Sequence, residues 1–135
     1  MYKIEYSKLI QCSQKDIDQA SQQTQLTNEL ESPTSVLLSD RCAIFFNDVE
    51  KSSITCADAT KAIDSKNKAV IASDPIYLQY VSGMKIRQNK LFVLSSTFFR
   101  HLEGPLNANE INFRLFSVPM EEIKRNTNCF SSCNS

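Results

Sequence analysis

The sequence predicts an α+β domain: an N-terminal strand, two or three helices, then a mostly antiparallel sheet of three to five strands and a disordered C-terminal tail. Three observations carry this expectation. Apolar residues recur at spacings of three and four over roughly the first 65 positions, short runs rich in Val, Ile, Phe and Tyr follow, and the last ten residues are mostly Asn, Ser, Thr and Cys. At 135 residues the chain has the usual length of one domain, so a single globular body over residues 1–125 and a flexible polar tail over 126–135 are expected.

Taken in order, Tyr2, Ile4 and Tyr6 alternate with Lys3, Glu5 and Ser7, the period of a half-buried strand. Ser13 and Asp16 then open a Gln-rich surface helix that runs to about Leu30. Ser32-Pro33 places a capping residue before a proline suited to a first helical turn. Leu38, Cys42, Phe45, Phe46 and Val49 supply an apolar stripe, which predicts a helix from Pro33 to Lys51. Thr55 and Asp58 start another, through Ala62 and Ile63 to about Ser65.

Beyond Lys68 the reading is β: Ala69 to Ala72, then Lys85 to Arg87 and Leu91 to Leu94 around Gln88-Asn89. Residues 75–82 read equally as a strand or as a short helix capped by Asp74. A helical turn from Ser96 to Leu102 ends at Gly104-Pro105, and Ile111 to Val118 alternates as a strand that Pro119 closes. Met120 to Lys124 forms a short helix, and the tail that follows buries too little to order itself.

Composition excludes several function classes. Fifteen basic residues balance fifteen acidic ones, so no whole-molecule field gathers phosphate backbones or anionic lipid. Only two glycines are present, and neither belongs to a phosphate-cradling loop; their scarcity also argues against tight primed hairpin turns. No run of apolar residues is long enough to span a bilayer, and the N-terminus lacks the apolar core of a signal peptide. Five cysteines, an odd number without a C-x-x-C pair, and no glycosylation sequon point to a reduced, cytoplasmic setting without disulfides.

Few residues suggest chemistry. His101 is the single imidazole, so a Cys- or Ser-dependent enzyme would have to use it; beside Phe98, Phe99 and Arg100 it reads better as a surface or interface residue. No set of four ligands has zinc spacing, and no metal or cofactor is expected. Cys129 and Cys133 lie four apart in the tail and are candidate sites of tail modification, such as reversible acylation beside Phe130. Cys42, on the stripe of its helix, reads as a small buried hydrophobe.

Two helices joined by a short Ser-rich turn invite a DNA-reading arrangement, but Asp58 and Asp64 oppose Lys61, Lys66 and Lys68. A better basic and aromatic patch combines Lys85, Arg87, Lys90, Arg100 and Arg114 with Tyr77, Tyr80, Phe92 and Phe113, provided that the strands present them on one face. Glu121-Glu122 followed by the uncharged Ser, Asn and Thr tail resembles the translocation signals of bacterial type IV secretion effectors. That resemblance covers Glu121 to Ser135 alone and implies delivery without a cleaved signal peptide.

These observations favour a non-enzymatic protein-interaction or assembly module. Its candidate binding residues are Tyr77, Tyr80, Lys85, Arg87, Lys90, Phe99, Arg100 and His101, with aromatics supplying the contact area. The partner is another protein or a second copy of the chain. Nucleic acid is less favoured, and a Cys/His-dependent enzyme stands third.

Overall fold

The computed structural model describes residues 2–10, 18, 21–26 and 30–133, and it corrects the α+β expectation: antiparallel sheet, not helix, is the predominant regular structure of the described chain. The chain divides into two compact units, Met1–Glu31 and Ser32–Ser135. In the first, β1 (Tyr2–Lys3) pairs with β2 (Gln25–Leu26), and α1 (Tyr6–Leu9) follows β1 where alternation predicted a longer strand. The Gln-rich helix predicted from Ser13 to Leu30 falls mostly on residues outside the described ones.

The second unit contains two sheets. The first runs in sequence order through β3 (Leu37–Asp40), β4 (Ala43–Asp48), β5 (Ser53–Asp58) and β6 (Lys68–Ser73). The second consists of β7 (Tyr80–Arg87), β8 (Lys90–Ser96) and β9 (Phe113–Pro119). Two short helices accompany it, α2 (Phe98–Glu103) between β8 and β9 and α3 (Met120–Asn126) directly after β9.

The helix predicted from Pro33 to Lys51 is therefore a hairpin of β3 and β4, and the one predicted from Thr55 to Ser65 begins as β5. The reason lies in burial. Every residue from Ala43 to Asn47 and from Ser53 to Asp58 is buried, so neither strand shows the in-and-out alternation of a half-exposed strand. A continuous run such as Ala43-Ile44-Phe45-Phe46 fits either period, and a stripe drawn through Leu38, Cys42 and Phe45 is accidental. Leu38 and Phe45 are in fact cross-strand partners.

Turns without glycine shape the hairpins. Arg41 at the β3–β4 tip and Ser52 between β4 and β5 have positive φ, 55° and 45°. Gln88 and Asn89, at 49° and 57°, form a two-residue connection closed by the Arg87–Lys90 pair. Both central residues are left-handed, as a type I′ turn requires, so scarcity of glycine did not exclude primed turns. Residues 75–82 are neither helix nor strand throughout: the Asp74 carboxylate accepts the amides of Ile76 and Tyr77, both at 2.8 Å, in a single turn, and β7 begins at Tyr80.

The core lies between the two sheets. Ala43 and Phe45 from β4 and Ile54 and Cys56 from β5 meet Val81, Leu91 and Val93 from the second sheet, with Met120 and Ile123 of α3 closing the layer. Ser35 ties the sheets at one side, its hydroxyl donating to the Val81 carbonyl at 2.6 Å. Its amide and that of Val36 donate to the buried Asn47 side chain, each at 3.0 Å.

The C-terminal segment is the largest correction. Far from being a disordered tail, residues 127–133 are bolted to the first sheet by two disulfides, Cys42–Cys133 and Cys56–Cys129, with Cα separations of 5.4 and 5.8 Å. Cys129 and Phe130 are buried, and Phe130 packs on Phe45 with ring centroids 6.0 Å apart. The bonds overturn the disulfide-free reading, the reduced cytoplasmic setting it implied and the proposed modification of Cys129 and Cys133, because persistent pairs of this kind belong to an oxidising compartment. They also remove the basis for reading Glu121 to Ser135 as an unstructured translocation signal. Cys12 lies outside the described residues.

Candidate functional site: the second sheet and the inter-sheet cleft

Alternation is clean in the second sheet, and it sorts the predicted binding residues onto two faces. Leu91, Val93 and Ser95 of β8 point to the core, so Phe92, Leu94 and Ser96 point away from it. The register then places Lys85 opposite Phe92, Arg87 opposite Lys90, Leu115 opposite Leu94 and Phe113 opposite Ser96, all on the outer face. Arg114 stands opposite the buried Ser95 on the core side, with its guanidinium 4.7 Å from the centre of the Tyr77 ring. The basic and aromatic patch read from sequence is thus divided: Lys85, Arg87, Lys90, Phe92 and Phe113 share one face, while Arg114 and Tyr77 belong to the other.

The outer face has two ends of different character. Lys85, Arg87 and Lys90 cluster near the Gln88-Asn89 turn. At the opposite end Leu94, Phe113 and Leu115 are exposed, the last two by 64% and 68% of their surfaces, which is far more than a lone surface apolar residue requires. Next to them Tyr80 packs against Phe98 and Phe99 of α2, with centroids 4.8 and 5.9 Å apart. Arg100 forms an ion pair with Glu110 and so is not a free cation on this surface. His101 is exposed on α2.

β9 is the edge of its sheet, and no described strand pairs with its outer side. Three strands therefore face four. The mismatch leaves a cleft of about 340 Å³ between β6 on one side and β8 and β9 on the other, lined by Ile54, Ile71, Leu91, Val93, Phe116 and Val118. Ser73, Asp74 and Ser117 supply its few polar groups. An apolar cleft beside an unpaired strand edge has the shape and chemistry to take an extended segment whose alternate side chains point inward.

The Cys–His arrangement that the sequence raised is not assembled by the described cysteines. Cys42, Cys56, Cys129 and Cys133 are bonded in pairs, so a thiolate nucleophile acting with His101 cannot come from any of the four. Among the described residues no three of His, Cys, Asp and Glu converge as a metal site.

The strongest electrostatic feature is structural and was missed in the sequence. Asp58, fully buried at the end of β5, accepts the Thr60 amide at 3.0 Å and hydroxyl at 2.6 Å, the Ser131 hydroxyl at 3.1 Å and the Ser132 amide at 3.2 Å. Lys61 Nζ lies 3.3 Å from the same carboxylate. Burial alone would raise the Asp58 pKa, but the hydrogen bonds from Ser132, Thr60 and Ser131 outweigh it and hold the carboxyl far below the usual range. Asp58 so fastens the last residues to the first sheet beside both disulfides. Two of its partners, Ser131 and Ser132, lie 73 and 74 positions away in sequence, and only the Asp-x-Thr pattern with Thr60 could have signalled the site locally.

Comparison with known proteins identifies a family. A family model described as major royal jelly protein matches residues 1–129. Major royal jelly protein 9 of Apis mellifera is 29% identical over 104 residues, covering 68% of this chain and 25% of that protein. Major royal jelly protein 8 of the same species is 26% identical over 107 residues, covering 70% and 26%. Protein yellow of Drosophila pseudoobscura pseudoobscura is 27% identical over 97 residues, covering 71% of this chain and 17% of the relative. The chain thus spans about a quarter or less of the length of these curated relatives.

Proposed function

The chain belongs to the major royal jelly protein family, and from that premise we propose that it is a non-catalytic assembly unit of a secreted protein, working through the open side of its second sheet. One observation carries the reading: a three-stranded sheet with an unpaired edge, an apolar outer face and an apolar cleft stands beside a four-stranded sheet that is complete. Consecutive antiparallel sheets, each a meander and packed face to face, are how neighbouring blades stack in a β-propeller, the architecture associated with this family. The first strands of the two sheets, β3 and β7, lie side by side here, as the inner strands of adjacent blades do.

In this reading a fourth strand along β9 fills the cleft, and a further β layer covers Phe113, Leu115 and Leu94. Such a layer is part of the same molecule in a longer family member or is contributed by a second copy. Secretion is supported by the two disulfides and by the relatives, and a docking role explains why large apolar side chains stand in solvent while the catalytic groups are scattered.

Sedimentation velocity of the chain over a hundredfold range of concentration tests the proposal, together with binding of a hydrophobic dye. Concentration-dependent association and strong dye binding are expected, both reduced in the doubly substituted Phe113→Lys, Leu115→Lys chain. A monomer at every concentration that binds no dye would overturn the reading.

A further inference from the structure

A second pocket, between the β3–β4 hairpin tip, the end of α3 and the C-terminal segment, has a different chemistry. It measures about 250 Å³ and is lined by Arg41, Lys124, Thr127, Asn128, Phe130, Ser131 and Cys133. Two cations line it and no carboxylate does. We propose that this pocket binds a small dianionic oxyanion, phosphate or sulfate, either free or as a monoester on a sugar.

Each cation is held at the pocket by a separate element. Arg41 occupies the β3–β4 hairpin tip with φ at 55°, a left-handed conformation that a long side chain adopts only where its surroundings require it. The next residue, Cys42, is bonded to Cys133, so the same disulfide that closes the pocket also fixes the hairpin tip against it. Lys124 comes from the last turn of α3, and its ammonium lies 5.7 Å from the centre of the Phe130 ring. Both side chains line the same pocket, which puts the two cations in one neighbourhood.

Nearby acids do not cancel the site. Glu121 contacts Lys124 at 3.4 Å, but that pair is exposed, and Glu121 also accepts from Asn89 on the other side. An exposed pair of this sort contributes little and exchanges readily for a better anion. Asp58 is buried beneath Ser131 with its oxygens already taken by Thr60, Ser131, Ser132 and Lys61. Guanidinium and ammonium groups flanking a concave surface suit an oxyanion, the first through paired N–H donors and the second as a point charge.

The test uses the intact, oxidised chain in chloride-poor buffer, titrated with sodium sulfate, sodium phosphate and glucose 6-phosphate while amide resonances are followed by NMR. Saturable shifts confined to Arg41, Cys42 and residues 124–133 are expected. Tighter binding of the sugar phosphate than of inorganic phosphate assigns the ester as the ligand, and equal binding assigns the free ion. Arg41→Asn, which suits the left-handed turn, and Lys124→Gln should each weaken binding about tenfold, whereas Glu121→Gln should strengthen it. Shifts scattered over Lys85, Arg87 and Lys90 instead, or affinity unchanged in both cation variants, would overturn the proposal.

Discussion

Cys56, in the middle of β5, is bonded to Cys129, 73 residues later, so the segment after α3 is stitched to the centre of the first sheet rather than to an edge. The bond from Cys42 to Cys133 spans 91 residues and lies beside it. Closing loops of this length restricts the unfolded chain by roughly 4–5 kcal/mol each in the chain-entropy model, with less than the sum expected because the loops overlap. Replacing Cys56 and Cys129 together by Ala should therefore lower unfolding free energy by about 2–5 kcal/mol in a urea titration. The same loss should follow mild reduction of the unaltered chain. A midpoint that reductant does not move would show that these thiols are not paired.

Asp58 sets a pH limit on the same attachment. Its carboxyl pKa is depressed in the folded chain, so the stabilisation it confers is complete above the unfolded value of about 4 and is lost as pH falls through the folded value. Denaturation midpoints should drop steeply below about pH 4. Asp58→Asn should cost roughly 2–4 kcal/mol at neutral pH, since an amide cannot accept from Thr60, Ser131 and Ser132 together, and should flatten the acid limb. Equal acid slopes for the two proteins would remove Asp58 as their cause.

The turn at Gln88-Asn89 offers a gain instead of a loss. Both residues are left-handed, which costs Gln more than Asn because a short amide side chain bonds locally to its own backbone. Gln88→Asn should therefore raise stability by about 0.5 kcal/mol, readable as a small upward shift in thermal midpoint. Asn89 is best left in place, as its side-chain amide donates to the Glu121 carboxylate at 3.3 Å and so ties the turn to the start of α3.

Legibility in the sequence followed exposure. The alternation of Phe113 and Leu115 with Arg114 marked β9, although these two apolar residues lie on its open face while Val118 faces the core, and the β7–β8 hairpin was marked by short apolar runs around Gln88-Asn89. The helical turn near Phe98 and the short helix from Met120 also lie close to where they were expected. β4 and β5 were hidden because both of their faces are buried, and a buried strand has no polar side to reveal its period. The polar tail misled for a different reason: its order comes from Cys42, Cys56 and Asp58, all more than 70 positions away, and no local composition reports such partners. Of the binding residues, the aromatic Tyr80 and Phe99 do meet, whereas Arg114, grouped with the basic and aromatic patch on the condition of a shared face, falls on the core side because its register pairs it with Ser95. Leu94 and Leu115, the most telling apolar pair of the outer face, stood out in the sequence only as strand residues.

That pair supplies the last prediction. Leu115 is exposed across from Leu94 on the outer face, and replacing it by Lys removes no core contact within the second unit. Stability of the isolated chain should change by no more than about 0.5 kcal/mol, as for other surface substitutions. Association or dye binding through the outer face should fall markedly, because a buried lysine opposite an apolar layer leaves a charge without a partner. Val93→Ala makes the opposite separation: Val93 is buried in the core and lines the cleft, so about 1–3 kcal/mol of stability should be lost. If Leu115→Lys destabilised the monomer as much as Val93→Ala, then Leu115 would be serving the core, and the outer face could not be the docking surface.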